Sequence, residues 1–390
     1  MKSVITGRTL LLAGILLIAA NLRAPFTGLP PLLDPISAEL GLGTVATGAL
    51  TTLPLLAFAI VSPFGATFAR VLGLERALFS ALIAIATGII LRSVAGVWGL
   101  YIGTAIIGMG IAIGNVLLPS LVKRDFPQQI ASLTGAYAVT MGVAAAAASA
   151  AVVPLSQSLG WRIALGSFLI LPVVALVLWV KQLGSSTKTG AAAAVPSQSS
   201  SPLWRSPLAW QITLFLGLNS TVYYVIIGWL PTILVDAGVP LAQAGSLHGA
   251  LQLASAIPGL VLGPILKRMK DQRLAAAAVT LFTAIASLGF LLAPQFALLW
   301  SVLFGIGTGA GIILGLSFIA MRTSSAHQAA KLSGLAQCFG YLLAATGPMA
   351  VGALHDHLGN WNIPLTLCAI LALTAMLMGI QAGKNRRIAP

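Results

Sequence analysis

Apolar stretches of about 20 residues follow one another along the whole 390-residue sequence. Each is long enough to cross a hydrocarbon core of roughly 30 Å as a helix. Charged residues make up 7% of the chain, against about a quarter in a soluble globular protein. The fold class these facts specify is an all-α, polytopic membrane protein.

Twelve spans can be drawn, over roughly residues 9–33, 44–69, 76–94, 97–122, 131–155, 161–181, 207–235, 243–267, 274–292, 296–321, 331–354 and 362–383. The longest polar stretch is LGSSTKTGAAAAVPSQSSSPLWRSP, residues 182–206. It is rich in Ser, Ala and Pro and lacks a helical apolar face, which marks a flexible linker. The expected organisation is an N-terminal six-helix bundle at 1–181, a cytoplasmic linker at 182–206 and a C-terminal six-helix bundle at 207–390.

The net charge of +14 reflects where the cations lie. Of 21 Lys and Arg residues, Arg92 and Arg162 fall near one face and Arg23 within a span; the other 18 (21 less 3) fall on the opposite side. That asymmetry places both termini in the cytoplasm, and a nucleic-acid partner is not needed to explain it. Lys2 and Arg8 precede an apolar core as in a signal peptide, but no soluble domain follows, so an uncleaved first span is expected. Cys338 and Cys368 lie in apolar segments and offer neither a disulfide framework nor metal-ligand spacing. Gly108-Met109-Gly110 and the glycines of 305–311 sit inside apolar spans with no preceding strand. They read as small-residue packing faces rather than dinucleotide loops. No cofactor is expected.

The two halves repeat in parallel. Asn21 corresponds to Asn219, and Gly48, Arg70, Arg76, Gly108 and Gly110 correspond to Gly245, Lys267, Arg273, Gly305 and Gly307 at an offset of 197. Leu133-Thr134-Gly135 corresponds to Leu332-Ser333-Gly334, and Trp161 to Trp361. Parallel six-span repeats about a central linker are the organisation of major facilitator transporters.

All carboxylates fall at span ends or in loops: Asp34, Glu39, Asp236 and Asp356 outside, and Glu75, Asp125 and Asp271 inside. There is thus no carboxylate proton relay at mid-membrane, and no nucleophile set or phosphate loop that would make an enzyme. Arg23 is the one charge expected at depth, some 15 Å from either interface at about 1.5 Å per residue. An Arg side chain reaches about half that distance, so snorkelling does not suffice. Arg23 is expected to face a wet cavity and attract an anionic or electron-rich substrate through its planar fork of donors. The alternative is that it binds carbonyls freed by Pro25, Pro30 or Pro31. His248, one turn from Gln252 on the same face, is the candidate proton carrier; its alternative is a bond to a neighbouring helix. Asn219 and Tyr223 share a face of the seventh span, with Tyr224 directed elsewhere, toward lipid or packing. Gln337 and Tyr341 repeat that spacing in the eleventh span. Asn21, Asn115 and Tyr137 complete the candidate substrate site. A small polar or aromatic molecule suits such a lining, and a monomer needs no further protein partner.

The stretches NLRAPFTGLPPLLD (21–34), TTLPLLAFAIVSPFGA (51–66), GNVLLPSLVKRDFP (114–127), SPLAWQITLFLGLNS (206–220), GWLP (228–231), SSAHQAAKLSG (324–334) and GYLLAATGP (340–348) resemble the cyanate/2-nitroimidazole transporter family of the major facilitator superfamily. The resemblance covers the whole chain. It implies a secondary carrier of the bacterial inner membrane that moves a small anion or a nitroimidazole-like compound by alternating access. It also implies a cavity lined by spans 1, 4, 7 and 10, with parts of 2, 5, 8 and 11. Three positions depart from the wider superfamily. Arg70 stands where an Asp is usual before Gly73 and Arg76, Thr104 stands where an Arg is usual in the fourth span, and Gly347-Pro348 with Gly352 falls in span eleven rather than five.

Overall fold

The computed structural model describes residues 2–185, 203–324 and 326–388. Among them are twelve helices long and apolar enough to cross a membrane. Spans 1 to 6 are Arg8–Leu40, Thr44–Phe64, Leu74–Val94, Gly96–Asp125, Ser132–Leu159 and Trp161–Leu183. Spans 7 to 12 are Pro207–Asp236, Leu241–Leu266, Arg273–Leu292, Pro294–Arg322, Lys331–Leu358 and Asn362–Ala382. No strand occurs among the described residues. An even number of crossings puts both ends of the chain on one side. Of the expected linker, residues 186–202, with Lys188, lie outside the described residues.

The repeat visible in the sequence returns as equivalent packing. Span 4 lies against spans 2 and 3, and span 10 against spans 8 and 9. The glycines make these approaches close. A Cβ at Gly108 would lie 2.6 Å from Pro54 Cα and 3.1 Å from Ala57 Cβ; at Gly305 it would meet Leu251 O and lie 2.8 Å from Ala254 Cβ. Pro54 and Ala57 correspond to Leu251 and Ala254 at the same offset of 197. Gly110 against Ala81 O and Gly307 against Val279 O form the second matched contact. Small residues let helix backbones approach where lipid removes the hydrophobic drive for association. The tryptophans match too: Trp161 Nε1 donates to Glu39 Oε2 at 2.6 Å, and Trp361 Nε1 to Asp236 Oδ2 at 2.7 Å.

The halves meet through spans 2 and 11 and through spans 5 and 8. Their polar contacts concentrate on the side away from the termini. There Thr232 Oγ1 donates to Asp34 Oδ1 at 2.9 Å, Thr44 pairs with Asp356, and Thr52 Oγ1 donates to Ala345 O at 3.1 Å. A Cβ at Gly48 would lie 3.0 Å from Pro348 O, and one at Gly245 2.9 Å from Ser149 O. Nearer the termini, Asn115, Pro119 and Leu316 are exposed. The seam is closed on the far side and open on the terminus side.

Three charged residues near span ends are buried. Arg92 sits near the far end of span 3 but is buried, 1% exposed, because spans 1 and 4 cover it. Its place near the span end is as expected, and its side chain is a second guanidinium enclosed by the helices. Arg322 is buried as well, donating to Ala382 O, Gly383 O and Gln272. Glu75 is buried beside Arg124, its Oε1 2.6 Å from Arg124 Nη2. Arg70, exposed, donates to Thr67 Oγ1 at 3.2 Å and to no other side chain among the described residues.

Candidate substrate site

Span 1 is broken where Arg23 stands. Its first helix ends at Asn21, Leu22 and Arg23 form a turn, and Ala24–Thr27 resume with Pro25 in the first turn. Proline has no N–H and clashes with the preceding turn, which interrupts the backbone ladder. Arg23 takes φ −127° and ψ −49°, and its carbonyl accepts from Phe26 N (3.1 Å) and Thr27 N (3.0 Å). Downstream, Leu29 N bonds Phe26 O at 3.4 Å rather than Pro25 O. Arg92 Nη1 donates to Pro25 O at 2.8 Å in its place. The loose carbonyl of Pro25 is thus held by Arg92 and not by Arg23.

Arg23 turns instead into the seam between the halves. Its Nη1 donates to Tyr223 OH at 3.3 Å, and its guanidinium carbon lies 5.9 Å from that ring's centroid. Tyr223 OH donates onward to Gln252 Oε1 at 2.9 Å. The chain Arg23–Tyr223–Gln252 runs from span 1 through span 7 to span 8. Among the described residues Arg23 enters no ion pair. Its charge is met by a phenol and by open volume.

That volume is a cavity of about 340 Å³. Leu22, Arg23 and Phe26 reach it from span 1, Phe58 from span 2 and Asn115 from span 4; Ser220 and Tyr224 from span 7, Ile312 from span 10, and Gln337 and Tyr341 from span 11 complete the wall. A second recess beyond Arg23 and Tyr223 is bounded by Met141 of span 5 and Gln252 of span 8. Gln252 Nε2 is buried there without a hydrogen-bond partner among the described residues.

Arg23, Asn115, Tyr223, Gln252, Gln337 and Tyr341 therefore meet around one region. The other named residues do not. Asn21 is wholly buried and donates back to Leu17 O at 2.8 Å. Asn219 donates to Thr308 O at 3.1 Å and ties span 7 to span 10. Tyr137 is half-buried against the apolar core. His248 is fully buried, its Nδ1 2.9 Å from Ser149 Oγ, which donates to Thr27 O at 3.0 Å.

Tyr224 is a further correction. It faces neither lipid nor mere packing; it lines the cavity, edge-on to Phe26 with centroids 6.0 Å apart. The one-face reading failed because span 7 is enclosed on nearly every side, so adjacent residues about 100° apart can both border the cavity. Phe26 and Phe58 were also missed, since an apolar aromatic in an apolar span carries no distinguishing signal.

A sequence profile described as Major Facilitator Superfamily matches residues 11–348. The chain belongs to the Major Facilitator Superfamily. It is 54% identical to the 2-nitroimidazole transporter of Escherichia coli (strain K12) over 98% of this chain and 97% of that protein. It is 25% identical to the cyanate transport protein CynX of the same organism, over 95% and 97% of the two chains. In three dimensions it superposes on the peptide transporter POT, solved with sulfate, with a TM-score of 0.79 at 14% identity, covering 97% of this chain and 96% of that one. The superfamily chain described here is a multi-pass membrane transporter and not an enzyme.

Proposed function

We propose that this transporter is a secondary active carrier of a small anion or a nitroimidazole-like molecule. It crosses the bacterial inner membrane with both termini cytoplasmic and works by alternating access between units at 1–181 and 207–390. The observation that carries the reading is Arg23. Among the described residues its guanidinium enters no ion pair, and it borders a cavity where the two halves meet; an anionic or electron-rich cargo would supply the partner. The name of the 54%-identical relative agrees in chemistry, because a nitro group and an azolate are electron-rich and planar. Closure on the far side and exposure on the terminus side match one end state of a rocking cycle.

The test is counterflow of labelled 2-nitroimidazole, and separately of cyanate, in proteoliposomes. Arg23→Ala and Arg23→Lys are both expected to abolish flux while the purified protein stays monodisperse. Flux in Arg23→Ala equal to that of the parent would remove the anchor.

A second reading, uptake of another organic anion with a proton, rests on the chain His248–Ser149–Thr27. It joins spans 8, 5 and 1 across the two halves; Ser149 Oγ donates to Thr27 O, so His248 Nδ1 is the donor to Ser149, and a further proton would enter at the buried Nε2. Flux whose pH dependence is unchanged in His248→Gln would exclude this route. A passive channel is distinguished by single-channel currents, which a carrier does not give.

A further inference from the structure

The cavity holds two aromatic pairs, and each pair is made by one ring from either half. Phe26 of span 1 meets Tyr224 of span 7 at 6.0 Å and 80°; Phe58 of span 2 meets Tyr341 of span 11 at 5.6 Å and 69°. All four rings border the same space as Arg23. Neither the Tyr224 nor the Tyr341 hydroxyl makes a hydrogen bond among the described residues, and neither is a sealed, unsatisfied group. Both tyrosines line the cavity. Gln337 adds an amide to the same wall.

Such a lining is selective in a way that a cation alone is not. Ring faces carry negative potential and ring edges positive, so offset and edge-on neighbours favour a flat aromatic guest over an aliphatic one of equal size. A guanidinium offers parallel donors spaced for the two oxygens of a carboxylate. A volume of about 340 Å³ is at the small end of ligand pockets, which suits a single substituted ring.

We propose that the preferred cargo class is a planar aromatic monocarboxylate, its carboxylate on Arg23 and its ring between the Phe26–Tyr224 and Phe58–Tyr341 pairs. This rests on the anion-carrier reading and narrows it. Binding joins all four rings to one guest, so the cargo contacts both halves at once. A saturated ring of the same charge fills the volume without the edge and face contacts.

The experiment is a ligand-dependent melting series on the full-length protein in detergent, with benzoate, cyclohexanecarboxylate and benzamide as probes. Ligand that binds the folded state selectively raises its melting temperature by mass action. Benzoate is expected to bind about ten-fold more tightly than cyclohexanecarboxylate, the order of preference two aromatic contacts supply, with no shift from benzamide. Tyr341→Leu and Tyr224→Leu are expected to erase that preference. Tyr341, less enclosed, serves if Tyr224→Leu fails to fold. Equal binding of the two carboxylates overturns the aromatic cargo while leaving the anion site intact. Benzamide binding as well as benzoate overturns the carboxylate. No carboxylate binding at all, with the same melting curves in Arg23→Gln, overturns the anion-carrier reading itself.

Discussion

Arg92 Nη1 lies 2.8 Å from Pro25 O, and this bond supports the break in span 1 that presents Arg23. The carbonyl lost its helical partner when Leu29 N turned to Phe26 O. Arg92 Nε and Nη2 have no hydrogen-bond partner among the described residues. The arrangement thus satisfies a single acceptor with a buried cation.

Arg92→Met leaves that acceptor unpaired, at a cost of about 1–3 kcal/mol, partly offset by removal of the buried charge. The expected result is a modestly lower melting temperature and a raised KM for 2-nitroimidazole flux at a nearly unchanged maximal rate. Arg92→Lys keeps one donor and should restore the parental KM. Failure of Lys to rescue would mean that the bond to Pro25 does not position Arg23.

Gly108→Ala and Gly305→Ala place equivalent methyl groups against equivalent backbones. Each is expected to destabilise by about 1–3 kcal/mol, read as a lower melting temperature in detergent. Gly334 is the control, since nothing lies within 4 Å of a Cβ there. Gly334→Ala should be neutral or slightly stabilising, as Ala is the better helix former by up to about 1 kcal/mol.

Thr232→Val removes the bond to Asp34 that joins span 7 to span 1 on the far side. One hydrogen bond is worth about 0.5–1.5 kcal/mol, enough to move a two-state population about two- to ten-fold. An Asn115→Cys reporter in a Cys338→Ala background should therefore react more slowly with a maleimide applied from the terminus side. An unchanged rate would show that this bond does not bias the conformation.

Arg70 and Glu75 should separate cleanly. Among the described residues exposed Arg70 holds only Thr67, so Arg70→Ala is expected to change the melting temperature little. Glu75 is buried against Arg124, and Glu75→Gln removes the carboxylate from that pair at a cost of about 2 kcal/mol.

What the sequence determined by itself follows from rules that act on stretches of chain. Lipid forces internal backbone bonding, so hydropathy alone located twelve spans and the class of fold. Duplicated glycines and tryptophans survived as duplicated contacts because close helix approach tolerates few residue types. The charge at Arg23 was legible because a membrane interior makes any cation conspicuous.

Which polar residues face one another was decided only in three dimensions. Asn219 and Tyr223 share a helix face, yet the first clasps span 10 and the second meets Arg23. Arg92 sits near a span end, yet neighbouring helices bury it. Tyr224, Phe26 and Phe58 border the cavity although nothing in their own segments says so. A helical period fixes the direction of a side chain relative to its own axis. The rotation and crossing of the other helices decide whether that direction leads to lipid, to a carbonyl or to water.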